Sequence, residues 1–420
     1  MSFEHPDAPQ APLTVTNRLV ADGFAGTWEE LEPLELPDRA AFFARNNLEA
    51  LRAVRHQREH QRELLIAAQS RFEPALVDDL LTLGLTVVSD GGATVQEPPT
   101  QRATDPGRIW LLTSGSTGRP KQVGHTLDTL LTVRGKQPPR TWLNPYTPGA
   151  YAWWQVTTLA LAHPGTSMVC VDGGHPWAEI AAEHGVDAAS GTPTFWRQAL
   201  LTQRDELAGV DFKQITLGGE PVDQAVMDLL ADAFPNARIS WIYASSEAGA
   251  SIAVHDGKAG FPVEWLGGLD PSRSLDHQED KRRPGLSVDG EELLISSPNR
   301  GEGVAPTLRT GDRVELRDGR VHITGRLGSD EINVGGTKVS AGKVRDVLLA
   351  HPGIAWAAIK ARKAPVVGNL VQATVVLDDK SLTEDDIIRY CTEHLAETEV
   401  PRRVRIVDEI PLKESLKSDV

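Results

Sequence analysis

The sequence is poor in cysteine and has no long hydrophobic run. Only Cys170 and Cys391 occur among 420 residues, far apart and in apolar or helical settings. They suggest neither a disulfide framework nor a thiolate metal site, and they suit a reducing compartment. No stretch of about 18 apolar residues occurs, and the first residues lack a basic segment followed by an apolar one. We therefore expect a soluble, cytoplasmic protein that does not enter a membrane.

Basic residues are too few to balance the acidic ones. Lys and Arg number 43 against 58 Asp and Glu, which gives a net charge of -15. Such a charge repels nucleic acid and anionic membrane surfaces, so neither is expected as a partner. The 12 histidines show no paired spacing typical of metal ligands. The composition therefore argues against nucleic-acid binding and against histidine-based metal chemistry.

The chain is long enough for two or three compact units, and its 40% hydrophobic residues can form real cores. Residues 1 to 105 begin with a proline-rich lead and pass through a charged stretch, Asp38 to Arg62, whose pattern predicts a helix. From 107 to about 250, short apolar strands alternate with helical stretches. This alternation predicts an α/β sheet with largely parallel strands.

Strand and turn signals follow between 260 and 325, including a hairpin with Asp318-Gly319 at its turn. They predict a small β-barrel-like unit. After Gly328, a helix, a strand pair and a second helix suffice for a small α+β domain. The predicted fold class is therefore α/β, with a large N-terminal multi-subdomain domain at 1-326 and a small α+β domain at 327-420.

A loop rich in glycine and hydroxyl groups, Thr113-Ser-Gly-Ser-Thr-Gly-Arg-Pro-Lys121, lies between a predicted buried strand and a helix that Thr126 can cap. Its glycines let the backbone approach an anion closely, its hydroxyl groups can donate hydrogen bonds, and its lysine adds positive charge. It differs from a Walker loop, in which the lysine directly follows a glycine. The pattern indicates nucleotide phosphates, and the candidate residues are Thr113, Ser114, Gly115, Ser116, Thr117, Gly118 and Lys121.

Six further segments follow this loop, and each alone is a common turn or tail sequence. Their order and spacing together resemble the adenylate-forming superfamily, which includes acyl-CoA synthetases, peptide-synthetase adenylation domains and luciferases. The resemblance covers roughly residues 107 to 420. The segments are Leu217-Gly-Gly-Glu220, Tyr243-Ala-Ser-Ser-Glu247, Arg309-Thr-Gly-Asp312, Gly325-Arg326, Ile332-Asn-Val-Gly-Gly336, and Pro411 with Lys417 six residues further on.

The resemblance implies a reaction and a role for each segment. A carboxylate attacks the α-phosphate of MgATP and expels pyrophosphate, so one site must hold phosphates, Mg²⁺, ribose and base. The loop would hold the β- and γ-phosphates, with Thr113 and Lys121 as catalytic residues. Lys417 would neutralise charge between the attacking carboxylate and the α-phosphate. The other implied roles are adenine contact for Gly218, Gly219 and Glu220, purine stacking for Tyr243, phosphate contact for Ser246, catalytic Mg²⁺ binding for Glu247, and ribose binding for Asp312 and Arg326.

The resemblance also implies a two-step cycle in which the C-terminal domain swings as a lid. Lys417 acts in the first step. In the second step, rotation of the lid brings the loop from Asn333 to Lys338 toward the site, so that an acceptor can attack the acyl adenylate. Gly328 and Ser329 are the predicted hinge, since small residues absorb such a rotation well.

Three features depart from the family pattern. Ala244 and Leu416 stand where glycine is usual, the latter directly before the predicted catalytic lysine. The phosphate loop also lies nearer the N-terminus than in most relatives. This position predicts a shortened first subdomain and a reduced wall around the acid.

The segment Thr141 to Gln155 aligns with the pocket-forming helix of the family and bears on the identity of the acid. Amino-acid-activating relatives place an aspartate here, and none occurs around Ala150 to Ala152, so an α-amino acid is disfavoured. Aromatic residues in this segment can border an aromatic or acyl pocket, or they can belong to the core. The candidate walls are Tyr151, Trp153, Trp154 and Ser190-Gly191-Thr192.

The predicted function is that of an ATP-dependent ligase that converts an aryl or acyl acid to acyl-AMP with release of pyrophosphate. The segment Ile332-Asn-Val-Gly-Gly-Thr-Lys-Val339 resembles acyl- and aryl-CoA ligases, which implies transfer to coenzyme A or to the phosphopantetheine arm of a carrier protein. A nitrogen nucleophile as acceptor and a noncatalytic nucleotide-binding regulator stay open as alternatives. ATP and Mg²⁺ are the implied cofactors, and a monomer or homodimer is expected.

Overall fold

The computed structural model describes residues 16–89, 91–113, 119–172, 174–267, 284–328, 330–364 and 368–418. Within these ranges the strands form four sheets, and helices connect the strands of the two largest. No helix in the same ranges is long and apolar enough to cross a membrane.

The first part of the chain forms a hairpin and a six-stranded sheet. Its elements are β1 (Arg18–Ala21), β2 (Phe24–Thr27), β3 (Arg39–Ala44), α1 (Asn47–His60), β4 (Glu63–Ala68), α2 (Pro74–Thr82), β5 (Thr86–Ser89), β6 (Ala93–Gln96), β7 (Ile109–Thr113), β8 (Lys121–His125) and α3 (Leu127–Leu130). The sheet has the order β6-β5-β3-β4-β7-β8, with four parallel strands at its centre and an antiparallel strand at each edge.

The prediction of a helix throughout Asp38 to Arg62 is wrong for the first part of that stretch. The helix α1 begins only after Asn46, whose side chain accepts a hydrogen bond from the Glu49 N–H and caps it. The preceding run Ala-Ala-Phe-Phe-Ala belongs to β3 and is buried. Both faces of a central parallel strand are covered, so its sequence reads as a continuous apolar run without alternation.

The middle of the chain forms an eight-stranded sheet. Its elements are β9 (Arg140–Asn144), α4 (Tyr151–Ala162), β10 (Thr166–Cys170), α5 (Ala178–Glu183), β11 (Ala188–Gly191), α6 (Pro193–Thr202), α7 (Arg204–Leu207), β12 (Gln214–Gly218), α8 (Gln224–Ala233), β13 (Arg238–Ser245) and β14 (Gly249–Val254). The order is β14-β13-β12-β11-β9-β10-β1-β2, and the six inner strands run parallel. This arrangement confirms the predicted α/β class.

A smaller antiparallel sheet follows. Its strands are β15 (Phe261–Pro262), β16 (Gly285–Asp289), β17 (Glu292–Ser296), β18 (Leu308–Arg317) and β19 (Arg320–Arg326), in the order β15-β19-β18-β17-β16. Asp318 and Gly319 join β18 to β19 with φ values of 52° and 73°. Two positive φ angles define the type I′ turn that an Asp-Gly pair favours.

The C-terminal part is a sheet with two helices on one face. Its elements are β20 (Glu331–Val334), β21 (Thr337–Ser340), α9 (Ala341–Leu349), β22 (Ile354–Ala364), β23 (Gly368–Leu377), α10 (Glu384–His394) and β24 (Arg403–Val407). It has its own hydrophobic core, which includes Val344, Ala373 and Ile387. The tail after β24 departs from this core, because Leu416 belongs to the core of the preceding sheets.

Candidate active site

An open cleft of about 2660 Å³ reaches the carboxyl ends of β11, β12 and β13. Polar residues that follow parallel strands meet at the same edge of a sheet, which is where ligands of α/β proteins bind. Ser114, Gly115, Ser116, Thr117 and Gly118 lie outside the described residues. The predicted residues that line the cleft are Thr113, Lys121, Gly218, Gly219, Glu220, Tyr243, Ser246, Glu247, Asp312, Arg326 and Lys417.

The two ends of the phosphate-loop segment face each other across the β7–β8 pair, where Thr113 is paired with Lys121. Thr113 is only 5% exposed, yet its hydroxyl oxygen has no hydrogen-bond partner among the residues that the structure describes. Lys121 is exposed at the start of β8. An unsatisfied buried hydroxyl beside a cation can donate to an anionic oxygen such as that of a phosphate.

We predict that Thr113→Val raises the KM for ATP by about tenfold while the free energy of unfolding stays constant or rises by up to about 1 kcal/mol. Valine has nearly the same shape and removes a polar atom that lacks a partner. Thr324→Val is a matched control, since within the described part of the chain that buried hydroxyl also has no partner, and Thr324 does not line the cleft. Denaturant unfolding and ATP titration would measure both quantities. A loss of stability without a change in KM would show that the Thr113 hydroxyl serves the fold.

Asp312 is a buried carboxylate with a donor on each side. The Tyr243 hydroxyl donates to Asp312 Oδ2, and Arg326 Nε lies 3.2 Å from Asp312 Oδ1. Burial raises the pKa of the Asp312 carboxyl, although the Tyr243 hydroxyl and the Arg326 charge act to lower it. Burial, together with the negative charge of Asp312, raises the pKa of Tyr243. The tyrosine therefore stays neutral, and the carboxylate is held as an acceptor that suits the hydroxyl groups of a sugar.

Lys417 reaches the cleft from a tail that is bound to the large domain. The Ser418 N–H donates to Glu220 Oε1 at 2.9 Å, and the Thr194 N–H donates to Glu220 Oε2 at 3.1 Å. Gly219 has a positive φ of 83°, and a Cβ atom there would lie 3.5 Å from Lys417 Cε. Burial lowers the pKa of the Lys417 ammonium, and the charge of Glu220 opposes this shift. The side chain still contacts solvent because the cleft is open.

A buried histidine fixes the segment that carries Ser246 and Glu247. His125 Nε2 lies 2.7 Å from Ser246 O, and its Nδ1 lies 3.0 Å from Thr129 Oγ1. Burial lowers the pKa of His125, which favours the neutral ring. The Gly301 N–H donates to Glu247 O at 2.8 Å. The backbone at Glu247 is therefore held on both sides, while the half-buried carboxylate lines the cleft.

Two of the three aromatic candidates for the acid pocket belong to the core. Trp153 and Trp154 are fully buried and do not line the cleft, and Trp153 Nε1 donates to Asn47 Oδ1 at 2.8 Å. Tyr151 does line it, and its hydroxyl accepts a hydrogen bond from the Ala250 N–H at 2.9 Å. The helix α4 is apolar on nearly all sides, so the sequence pattern alone could not separate its core face from its cleft face.

Tyr146 is a wall residue that the sequence patterns did not single out. Its hydroxyl lies 2.9 Å from Ser190 Oγ, and burial raises the pKa of Tyr146 to about 12. Both side chains line the cleft, as does Thr192. Tyr146 follows the carboxyl end of β9 by two residues. Its position after a parallel strand was the available signal, because such positions meet at the ligand edge.

The loop from Asn333 to Lys338 is absent from the walls of the cleft in this arrangement of the chain. Lys338 Nζ instead lies 2.9 Å from Glu331 Oε2, and Glu331 also pairs with Arg313 of β18. Gly328 has a positive φ of 83°, whereas Ser329 lies outside the described residues. The structure therefore shows Lys417 at the cleft, whereas the loop from Asn333 to Lys338 does not line it.

Comparisons with known proteins identify the family of this chain. Residues 38–325 match the AMP-binding enzyme family, and residues 343–417 match the AMP-binding enzyme C-terminal domain. Long-chain-fatty-acid–CoA ligase FadD13 of Mycobacterium tuberculosis is 25% identical over 350 residues, which cover 76% of this chain and 67% of that protein.

Two solved structures share the fold at low identity. E. coli MenE with bound OSB-AMS superposes with a TM-score of 0.72 at 19% identity, covering 94% of this chain and 93% of that one. The amide bond synthetase McbA of Marinactinospora thermotolerans gives a TM-score of 0.66 at 20% identity, covering 97% and 96%. The fold and the matched residues define an adenylate-forming protein. This chain belongs to the AMP-binding enzyme family and is an ATP-dependent, AMP-forming ligase.

Proposed function

We propose that this ligase activates a non-amino, aryl or acyl carboxylic acid as acyl-AMP and transfers the acyl group to a thiol. The thiol belongs to coenzyme A or to the phosphopantetheine arm of a carrier protein. One observation carries the proposal: residues from β7, β12, β13, β18 and the C-terminal tail, far apart in the chain, line the same cleft. Any one of these residues alone would not support an enzymatic function.

The nucleotide would be held from three sides. Thr113 and Lys121 offer a hydroxyl and a cation to the terminal phosphates, and Ser246 also lines the cleft. Asp312 and Arg326 present an acceptor and a cation to the ribose. These groups belong to different elements that the fold fixes before the substrate arrives, so little ordering is required at the moment of reaction.

Magnesium fits Glu247 as a ligand shared with the phosphates. Among the described residues no group of three or more His, Cys, Asp or Glu could hold a metal ion by itself. Mg²⁺ is commonly held by only one or two carboxylates together with phosphate oxygens and water. Glu247 is a half-buried carboxylate on the cleft wall and meets this requirement. When bound, the ion would supply positive charge that offsets the charge of the phosphates.

Lys417 would act where negative charge converges. The acid carboxylate and the α-phosphate repel each other, and an ammonium between them lowers this repulsion in the transition state. Glu220 holds the backbone beside Lys417 through the Ser418 N–H. The two oxygens of Glu220 each accept a hydrogen bond from a backbone N–H, so this carboxylate fixes the chain around Lys417.

The acid would lie beside α4. This helix contains no Asp or Glu, so it offers no partner for the ammonium of an α-amino acid. Tyr146, Tyr151 and Ser190 line the cleft nearby, and their hydroxyl groups are already engaged within the protein. An apolar or aromatic acid matches this neutral wall.

For the second half-reaction, we propose that a domain of residues 1–326 and a lid of residues 327–420 rotate relative to each other at Gly328 and Ser329. The rotation would withdraw Lys417 and bring the loop from Asn333 to Lys338 to the cleft. Positive φ at Gly328 is readily accepted by glycine, so this position can absorb a backbone change.

An isotope-exchange assay between pyrophosphate and ATP, run with a panel of aryl, fatty and amino acids, tests the proposal. We expect exchange that depends on an aryl or fatty acid and that α-amino acids do not support. Acyl transfer is then followed with coenzyme A, a phosphopantetheinylated carrier and an amine. Exchange followed by transfer only to the amine would replace the thiol with a nitrogen acceptor. Binding of ATP without exchange for any acid would indicate a noncatalytic regulator.

A further inference from the structure

Leu416, directly before Lys417, is buried in the core of the large domain. Its side chain is 2% exposed and belongs to the hydrophobic cluster that also contains Leu217 and Phe195. It is therefore packed away from the core of its own domain, which is formed by residues of β20 to β24 and their helices. A residue that lies near the end of the chain and is buried in another domain fixes the tail at that point.

The backbone of Leu416 is strained, and this makes its burial more informative. Its φ angle is 61°, in the left-handed region that glycine enters freely and that Cβ-bearing residues avoid. A leucine is found there only if its side chain gains more from burial than the backbone loses. Replacement by glycine would remove the backbone strain, a change that favours the docked tail, and the apolar contact, whose loss disfavours it. The two effects on docking therefore have opposite signs.

Polar contacts from the large domain surround this buried side chain. The Thr192 hydroxyl donates to Leu416 O, and the Thr147 hydroxyl donates to Glu414 O at 2.8 Å. The Ser70 hydroxyl donates to the Glu414 carboxylate at 2.7 Å. Within the tail, the Leu416 N–H donates to Lys413 O at 2.8 Å and closes a tight turn. The tail therefore docks as a compact unit with Lys417 directed into the cleft.

We propose that Leu416 is a positioning residue: a hydrophobic anchor that holds the docked tail and biases the enzyme toward the adenylate-forming half-reaction. The anchor rests on the proposed function, because it acts through Lys417. Its consequence for the cycle is that acyl transfer requires withdrawal of Leu416 from the core of the large domain. Release of the tail then limits the second half-reaction, and the acyl adenylate stays enclosed until release occurs.

Docking can be measured without any substrate. Hydrogen exchange of the peptide covering residues 412–418 reports the equilibrium between docked and released tail. For Leu416→Gly we expect protection of this peptide to fall by about 5- to 30-fold, because loss of the apolar contact outweighs relief of strain. Leu416→Ala is expected to lose protection too, since it keeps the strain without most of the contact. Ile406→Ala is the control, because Ile406 is an aliphatic residue of the same domain that is 43% exposed.

The two half-reactions supply the second measurement. For Leu416→Gly we expect formation of the acyl adenylate to slow by about 5- to 30-fold, and single-turnover acyl transfer from preformed adenylate to stay constant or accelerate. Lys417→Ala should also slow adenylate formation, by at least about 100-fold, but it should leave the tail protected. Thermal unfolding verifies that the variants fold.

Three outcomes would overturn the anchor. They are unchanged or increased protection in Leu416→Gly, equal losses in both half-reactions, and a loss of protection in Ile406→Ala as large as that in Leu416→Gly. The exchange measurement also separates the two proposals. If no acid supports adenylate formation, the proposed function fails, while protection of the tail still decides whether Leu416 anchors it.

Discussion

Replacing Lys417 with alanine is expected to lower the rate of acyl-adenylate formation by at least about 100-fold, while ATP still binds. The lysine ammonium lies in the cleft beside Gly219 and is held there by the docked tail. In the proposed mechanism its charge acts where the acid carboxylate approaches the α-phosphate, and a preorganised charge of this kind contributes mainly to the transition state. Exchange of labelled pyrophosphate into ATP measures the rate, and calorimetric titration with ATP measures binding.

Lys360→Ala is a suitable control for the loss of one positive charge. Lys360 is an exposed lysine on β22 of the same domain and does not line the cleft. It should leave both the exchange rate and ATP binding unchanged. Undiminished exchange in Lys417→Ala would remove this lysine from the mechanism. A parallel loss of exchange and of ATP affinity would assign it to nucleotide binding in the ground state.

Much of the fold was predictable because local signals agree with the tertiary arrangement. The alternation of short apolar strands with amphipathic helices between 107 and 250 indicates parallel sheet, and β9 to β13 follow it. The Asp318-Gly319 pair likewise marks the turn that the structure has. The prediction of a helix from Asp38 onward failed because the local signal there is ambiguous. Its apolar run has no period of two, and a fully buried strand cannot then be told from a buried helix.

The site was predictable where residues sit at the ends of strands and form turns. Gly218 ends β12 and Glu247 follows β13, so each of these motifs is placed by its own element, whereas Asp312 lies within β18. The contacts that hold the C-terminal tail could not be predicted from the sequence. Glu220 and Ser418 are 198 residues apart, and no local pattern reports such a pair. The burial of Leu416 could not be predicted either. A leucine in place of the usual glycine indicates a difference from the family pattern, but it does not show where the side chain packs.

A second attachment joins α6 to β22 of the C-terminal part. Arg197 of α6 donates through Nη1 to Ala355 O of β22 at 3.0 Å, and its Nη2 lies 2.7 Å from Asp223 Oδ1. The two side chains of the ion pair are 5% and 9% exposed. The C-terminal part of the chain is thus attached at two places, through the buried Leu416 and through the buried Arg197. The rotation proposed above would have to release both.

We expect Arg197→Met to lower the free energy of unfolding by about 3 to 5 kcal/mol, because it leaves the Asp223 carboxylate buried without its partner. Methionine keeps much of the side-chain volume, so the loss reports mainly on charge. The double variant Arg197→Met/Asp223→Asn should cost less than the single one, since asparagine is neutral. Asparagine can also still accept the hydrogen bond from the Val226 N–H that caps α8. Denaturant unfolding of both variants measures the difference.

Arg204→Met provides the matched control, because Arg204 lies exposed on the neighbouring helix α7 and its loss should change stability by no more than about 0.5 kcal/mol. Equal losses in the single and double variants would show that the charge of Asp223 is not what Arg197 balances. The same variants also test the contact between α6 and β22, since Arg197 donates a hydrogen bond to the backbone of β22. Hydrogen exchange of residues 354–360 should increase in Arg197→Met and not in Arg204→Met. Faster exchange confined to α6 and α8 would instead place the whole effect within the large domain.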